Sequence, residues 1–246
     1  MIIAALCLAT GCAYFLAGRR PLRLYGPRRS WTVRRWRAMA FVISLGLVAI
    51  VAGFGEVVAA QRFWLRTLQL LLLLMVACPL LVLGAPSARF ARLFNRPGQR
   101  VMPRQSRSVA AFLLFSVALV AAYLPPVYRL MGASGLARSI AELTVVLIGY
   151  AFWTQVISQP GRPSPLSHLG RVAYLFLSSA QVRILGLVLG FAPASFSGVP
   201  LIDQQIGAGI LMVPGVLTDL IALTVCLYLW LAQDDRRNQP RWARIA

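Results

Sequence analysis

Seven long apolar segments are the feature that most limits what this chain can fold into. They cover residues 2–17, 38–55, 67–85, 109–124, 139–157, 172–191 and 208–232. At a helical rise of about 1.5 Å per residue, such segments can cross a hydrocarbon core of about 30 Å. With 59% hydrophobic and 13% charged residues, the chain is too apolar for a soluble domain. We predict an all-α integral membrane protein, a seven-transmembrane-helix bundle that forms one polytopic domain.

The first of these segments is followed directly by Gly18, Arg19 and Arg20 and has no basic stretch before it. A removable signal peptide would begin with basic residues and end in small ones. We therefore expect a retained first helix.

The positions of the arginines predict the orientation. The chain has no lysine, and eight arginines lie between the first and second segments and six between the third and fourth. Two more connect the fifth and sixth segments and four lie in the tail, whereas the other side has only Arg62, Arg66, Arg129 and Arg138. Cytoplasmic loops carry the excess of basic residues. This bias and the helix count predict an amino terminus outside and a carboxyl terminus in the cytoplasm.

Nucleic-acid binding and catalysis are both disfavoured. The net charge is +19, but the arginines lie between apolar segments, where they anchor the topology and meet anionic lipid headgroups. The sequence has no nucleophile elbow, phosphate loop, dinucleotide fingerprint or paired-cysteine zinc pattern. We expect the partner to be the lipid bilayer rather than nucleic acid, and we expect no enzyme.

Two ionisable residues lie deep within the apolar segments. Arg183 in the sixth segment and Asp219 in the seventh are predicted at matching depth from the cytoplasmic side. Charges at this depth are rare and are generally paired or functional. An ion pair that joins the two helices is the simpler interpretation, and an ion or proton path is the alternative.

A further anomaly opens the third apolar segment. Arg66 and Gln69 precede an almost pure hydrocarbon run. Polar residues cost less at the membrane interface than at its centre, so an interfacial anchor would account for them.

Six stretches suggest more than an anchor. They are RRSWTVRRWRAMAFVISLGLVAI, LQLLLLLMVACPLLVLGAP, YLPPVYRL, FWTQVI, YLFL and DQQIGAGILMVPG, in this order between Arg28 and Trp230. Together they resemble the seven-helix cytochrome c oxidase assembly factor family of the CtaG type, associated with caa-type oxidases. The resemblance implies a multi-pass protein of the bacterial cytoplasmic membrane that acts with cytochrome c oxidase subunits and helps to deliver copper to the catalytic subunit.

The chain departs from this pattern where copper would bind. The resemblance implies histidines at five positions that carry other residues here, namely Arg66, Leu70, Tyr123, Arg138 and Glu142. The predicted topology places all five at the outer ends of the third, fourth and fifth segments.

We predict that this outer region has become a polar cluster. Arg138 and Glu142 are four residues apart and can pair along one helical face. Arg66 could join Glu142 from the neighbouring helix, with Gln69 donating to the group. Such a network would hold the third and fifth segments together.

The remaining soft ligands are few. Arginine stays protonated and cannot ligate copper. His168 falls in a predicted cytoplasmic loop, and Cys78 and Cys226 are expected to pack as small apolar residues. Cys7 and Cys12 stay open as a replacement thiol site, although their spacing does not form a two-ligand face. We expect no metal and no cofactor, with copper as the alternative.

Asp203, Gln204 and Gln205 are predicted in the outer loop before the seventh helix. Asp203 can cap that helix, since an acid there satisfies free amides. The alternative is a contact surface for a partner or for a metal that the partner carries. Glycines in this helix, Gly207, Gly209 and Gly215, indicate close helix approach, with a kink at Pro214.

The function that these patterns favour is a membrane assembly factor or scaffold for respiratory cytochrome c oxidase without its own tight copper site. A copper-binding chaperone for the oxidase and a small membrane transporter are the alternatives.

Overall fold

The computed structural model describes residues 29–57, 62–84, 104–133, 135–158, 164–193, 199–213, 220–228 and 230–231. Most of these residues are helical, and no β-strand lies among them. The helices are α1 (Arg29–Val57), α2 (Phe63–Gly84), α3 (Arg104–Ala122), α4 (Pro125–Ala133), α5 (Gly135–Val156), α6 (His168–Phe191) and α7 (Leu201–Met212). A further helical stretch covers residues 220–228.

Four helices within the described residues are long and apolar enough to cross a membrane. They are Phe63–Gly84, Gln105–Ala122, Gly135–Val156 and His168–Phe191, with mean hydropathies between 1.4 and 2.4. α1 contains a shorter apolar stretch, Trp36–Val51. The architecture is therefore that of a helical membrane protein. The predicted first segment, residues 2–17, lies outside the described residues.

Helix α2 is the central helix of the bundle. In its most apolar window 61% of residues are buried, against 22% to 33% in the other three long helices. α1 packs on it so closely that a Cβ atom on Gly84 would lie 2.5 Å from the Phe41 backbone nitrogen. α5 approaches it at Gly149, where a Cβ atom would lie 2.7 Å from Cys78 Sγ. Because α1, α5 and α7 all pack on this helix, its first turns also organise the polar residues.

The middle of α2 widens into a π-helical turn at Leu72–Ala77, and Pro79 gives the physical reason. Proline has no amide hydrogen and crowds the carbonyl of the preceding turn, so regular α-helical bonding cannot continue through it. The Cys78 amide reaches back five residues to the Leu73 carbonyl. In the same pattern an amide at residue 79 would donate to the Leu74 carbonyl. Because proline has no amide hydrogen, the Trp153 indole donates to that oxygen instead, at 2.7 Å.

One end of the bundle collects most of the buried polar side chains. It is the end where α2 begins, and we call it the Phe63 end. α3 finishes there beside Tyr123, α5 begins there, and α6 finishes beside the first turn of α7. Aromatic contacts close it, with the Phe63 ring 6.0 Å from the Tyr123 ring and 5.5 Å from the Tyr128 ring.

Three elements differ from the sequence-based expectations. α1 begins at Arg29 rather than at residue 38 because arginine is a good helix former that can extend the helix beyond the apolar stretch. The short helix α4 was not predicted, although Pro125 suits a first helical position because its missing amide needs no partner there. The predicted segment 208–232 begins inside α7, which starts at Leu201 because the polar side chains of its first turn find partners inside the protein.

Candidate functional site

Three polar side chains from two helices form a buried network at the Phe63 end, which we call the Glu142 network. Arg138 Nε donates to Glu142 Oε1 at 2.9 Å, and Gln69 Nε2 donates to the same oxygen at 2.8 Å. Arg138 Nη2 lies 3.5 Å from Gln69 Oε1, which closes the ring of contacts. Gln69 also donates to the Val51 carbonyl of α1 at 3.2 Å. The network therefore ties α1, α2 and α5 together.

The structure brings three residues of the predicted cluster, Arg138, Gln69 and Glu142, into direct contact. Glu142 has an arginine nitrogen within ion-pair distance, and Gln69 donates to it. The expectation that Arg66 would also join Glu142 is wrong. Arg66 donates from Nη1 to the Tyr128 carbonyl at 2.9 Å, and its guanidinium carbon lies 4.5 Å above the Tyr128 ring centroid. A nearby aromatic face and carbonyl provide Arg66 with a partner on α4, the helix that the sequence did not predict.

Tyr128 is a functional-site residue that the sequence reasoning missed. Burial raises the pKa of Tyr128 above its ordinary value, and the nearby Arg66 offsets only part of this rise. The phenol is therefore neutral at physiological pH, and its ring acts as a cover over the Arg66 guanidinium. The Pro125-Pro126 pair, a strong signal for a helix start, could have indicated the helix that carries it.

The other two predicted cluster positions are apolar in character. Leu70 and Tyr123 both line a small cavity of about 20 Å³ between α2, α3 and α5. The buried Tyr123 hydroxyl lies near Thr67 but has no hydrogen bond of acceptable geometry within the described residues. The structure thus brings all six predicted positions to the Phe63 end. Gln69, Arg138 and Glu142 form the Glu142 network, Arg66 contacts Tyr128, and Leu70 and Tyr123 line the cavity.

Asp203 and Gln204 form what we call the helix-end clamp. Asp203 Oδ2 accepts a hydrogen bond from the Phe63 backbone amide at 2.8 Å, and Gln204 Nε2 donates to the Leu189 carbonyl at 2.8 Å. These two adjacent residues of α7 therefore provide a hydrogen-bond partner for one amide in the first turn of α2 and for one carbonyl in the last turn of α6. The first amides and the last carbonyls of a helix have no partner within that helix, so both bonds replace hydrogen bonds that the helix itself cannot form.

The clamp corrects two expectations. Asp203, Gln204 and Gln205 lie in the first turns of α7 rather than in a loop, because partners in neighbouring helices satisfy their polar groups there. Asp203 does act as a cap, but for α2, while no side chain caps α7 itself. Asp203 and Gln204 are buried, so of the three only Gln205 is exposed and able to form a contact surface.

Other predicted residues lie apart from this end or outside the described part of the chain. Arg183 is exposed on α6, and its predicted partner Asp219 lies outside the described residues, as do Cys7 and Cys12. His168 begins α6 instead of lying within a loop, because the Ser167 side chain caps the helix by accepting from the Gly170 amide. Of the predicted glycines, Gly207 packs tightly: a Cβ atom there would lie 2.5 Å from the Phe63 ring. The expected close approach is wrong at Gly209, where no atom lies within 4 Å of an added Cβ, and Gly215 and Pro214 lie outside the described residues.

The residues at the Phe63 end do not suit a copper ion. Copper prefers thiolate, thioether or imidazole ligands. The Glu142 network offers one carboxylate that already accepts from two donors, together with an amide and a guanidinium. Among the described residues no three histidine, cysteine or acidic side chains come together as metal ligands. The hydrogen bonds of this arrangement join neighbouring helices to one another.

Comparison with known protein families identifies a match over most of the chain. Residues 12–233 match the model of a family described as cytochrome c oxidase caa3 assembly factor. No curated protein and no solved structure matches the chain.

Proposed function

Because this chain belongs to the cytochrome c oxidase caa3 assembly factor family, we propose that it assists assembly of that oxidase as a membrane scaffold that holds no copper tightly with its own residues. Family membership supports the assembly role. The types of side chain at the Phe63 end support a role in assembly as a scaffold rather than as a carrier of copper.

The Glu142 network is the observation that carries this proposal. Glu142 is 5% exposed, and both of its donors come from within the bundle. A metal would have to displace the Arg138 guanidinium and the Gln69 amide and leave a buried cation without its counter-ion. Breaking a buried ion pair in this way costs several kcal/mol. An intact network therefore opposes copper binding at the positions where the sequence resemblance implies histidines.

The proposal includes the finer features of the topology. We place seven spans in the plasma membrane of a bacterium, with the amino terminus and the Phe63 end outside and the carboxyl terminus in the cytoplasm. The arginine distribution supports this orientation. On the outer side the scaffold would contact oxidase subunits and lipid, and it would carry out no catalysis of its own.

A deletion strain tests the assembly role. Cells that lack this chain should lose oxidase activity, and added copper should fail to restore it, because a scaffold is not replaced by free metal. Complementation with the unchanged gene is the control. Restoration of activity by copper alone would favour the copper chaperone, and normal activity in the deletion strain would contradict the assembly role.

Metal analysis of the purified chain tests the absence of copper. We expect far less than one copper per chain after dialysis against a weak chelator. One tightly bound copper per chain would overturn this part of the proposal. Its loss in the Cys7→Ser, Cys12→Ser double variant would then assign the metal to the two thiols of the first segment.

A further inference from the structure

Arg183 is an exposed charge on a helix that is apolar enough to cross the membrane. At the rise of an α-helix it lies about 22 Å from His168, where α6 begins, and about 12 Å from Phe191, where α6 ends. The residues beside it are apolar and also exposed, with Ile184 at 59% and Val188 at 58%. A charge at this depth is costly beside lipid and generally has a partner or a function. The position of Arg183 therefore indicates a counter-ion.

Among the side chains that the structure describes, no carboxylate is available to Arg183. Glu142 and Asp203 are buried at the Phe63 end, where both already accept hydrogen bonds. The nearby polar residue Gln181 has its own partner, because the Ser116 hydroxyl of α3 donates to Gln181 Oε1 at 2.9 Å. Two positions along a helix differ by about 200° around its axis, so Arg183 faces away from this contact.

Helix α7 leaves the flank of α6 at Arg183 open. The two helices pack closely at Gly186, where a Cβ atom would lie 3.0 Å from Met212 Cγ, and at Gly190, where it would lie 3.5 Å from Ala208 Cβ. Along this contact α7 runs toward Arg183, but Met212 is its last residue. Arg183 lies nearly one helical turn beyond Gly186. The described part of α7 therefore ends before it can cover Arg183.

The exposed residues around Arg183 have the spacing of a helix-packing seam. Separations of four, three and four residues connect Phe176, Ala180, Arg183 and Leu187, which we call the Arg183 stripe. This spacing keeps side chains on one face, toward a partner helix. Phe176 is 63% and Leu187 44% exposed. A small residue such as Ala180 allows close approach of helices in a membrane, and polar residues within the seam strengthen their association. The stripe therefore suits an apolar helix that carries one negative charge.

We propose that the Arg183 stripe binds a transmembrane helix of an oxidase subunit that carries an aspartate or glutamate at the depth of Arg183. The ion pair removes the cost of a single charge beside lipid. A second copy of this chain fits less well, because a symmetric contact through the stripe would bring two arginines together. The inference rests on the proposed assembly role, which supplies the partner, and it adds the surface and the charge that recognise this partner.

Co-purification from membranes tests the proposal. The tagged full-length chain is isolated in mild detergent from cells that make the oxidase, and the retained oxidase subunits are quantified by mass spectrometry. We expect Arg183→Leu to retain at least about tenfold less than the unchanged chain, because the partner's carboxylate loses its counter-ion within the membrane. Arg183→Lys keeps the charge and should keep most of the retention.

A pair of bulky substitutions tests the surface. Ala180→Trp should reduce retention because it fills the Arg183 stripe, whereas Val188→Trp, about 140° around the helix from Arg183, should not. Equal retention by Arg183→Leu and the unchanged chain would overturn the inference and leave the assembly role standing. Absence of every oxidase subunit from the unchanged preparation would contradict the assembly role itself, and with it this inference.

The stability of the purified chain separates a partner protein from a counter-ion within the chain. Asp219, which lies outside the described residues, is the carboxylate that the sequence places at matching depth. If the counter-ion belongs to another protein, the melting temperature of the purified chain should not fall in Arg183→Leu, since an apolar side chain replaces an exposed charge. A fall of equal size in Arg183→Leu and Asp219→Asn would overturn the proposal and assign Arg183 to a pair with Asp219.

Discussion

At the scale of single residues, two buried carboxylates at the Phe63 end each accept a hydrogen bond from another helix. Glu142 of α5 accepts from Gln69 of α2, and Asp203 of α7 accepts from the first amide of α2. In an apolar surrounding such bonds matter because the alternative is a buried polar group without a partner. The stability of this end should therefore depend on partners rather than on single residues.

Glu142→Leu should destabilise the protein by about 3 kcal/mol, because it leaves the Arg138 guanidinium at the buried interface without its counter-ion. Removing both charges in an Arg138→Leu, Glu142→Leu double variant should recover at least half of this loss, since no charge remains to be buried. Thermal unfolding in detergent measures both. Equal destabilisation by the single and double variants would show that the pair is not coupled.

Asp203→Ala should cost about 1–2 kcal/mol of unfolding free energy, because the first amide of α2 loses its acceptor. Asp203→Asn should cost less, since the amide oxygen still accepts although the favourable charge at the helix start is gone. The exposed neighbour Gln205 provides the control, and Gln205→Ala should stay within about 0.5 kcal/mol. A loss at Gln205 as large as at Asp203 would contradict the capping role.

At the scale of elements, α2 depends on its neighbours for its bonding and its packing. Its π-helical turn leaves the Leu74 carbonyl to the Trp153 indole. Its last turn allows the α1 backbone to come close at Gly84. The helix therefore has its observed shape only within the bundle.

Trp153→Phe should destabilise the protein by about 1–3 kcal/mol, because the buried Leu74 carbonyl loses its donor while the aromatic volume is largely kept. Adding Pro79→Ala should restore part of the lost stability, because residue 79 then has an amide that can donate a hydrogen bond to the Leu74 carbonyl. Comparison of the melting temperatures of the single and double variants measures the rescue. If Pro79→Ala gives no gain in the Trp153→Phe background, the missing amide is not the reason for the indole bond.

Gly84→Ala should cost about 1–3 kcal/mol, because the new methyl group would lie 2.5 Å from backbone that cannot rotate away. Gly46→Ala in α1 is the matched control, with no atom within 4 Å of the added carbon. It should be neutral or slightly stabilising, because alanine favours a helix over glycine. The measurement is the melting temperature of each variant. Similar values for Gly84→Ala and Gly46→Ala would mean that α1 and α2 are not in close contact at Gly84.

At the scale of the whole molecule, the arginine bias predicts which loops stay in the cytoplasm. In a variant whose native cysteines are serines, a probe cysteine at Arg100 should resist a membrane-impermeant maleimide in intact cells and react only after lysis. A probe at Arg62, on the predicted outer side, should react in intact cells. Labelling of the Arg100 probe from outside would reverse the proposed orientation.

Several features followed from the sequence alone because they depend only on local order along the chain. Apolar segment lengths are set by the thickness of the bilayer, so the helical membrane class could be read directly. The pairing of Arg138 with Glu142 follows from a four-residue spacing on one helix, which any helix brings together. Family membership also followed from ordered motifs and is supported by the match over residues 12–233.

The tertiary structure decided which helices supply the partners. Arg66 turns to Tyr128 rather than to Glu142, and Asp203 caps α2 rather than its own helix. In a membrane helix the apolar pattern is nearly uniform around the axis, since both lipid and protein neighbours are apolar, so periodicity carries little information about which face meets which helix. The lateral order of the helices, and with it every bond between them, is fixed only when close packing selects one arrangement of the bundle.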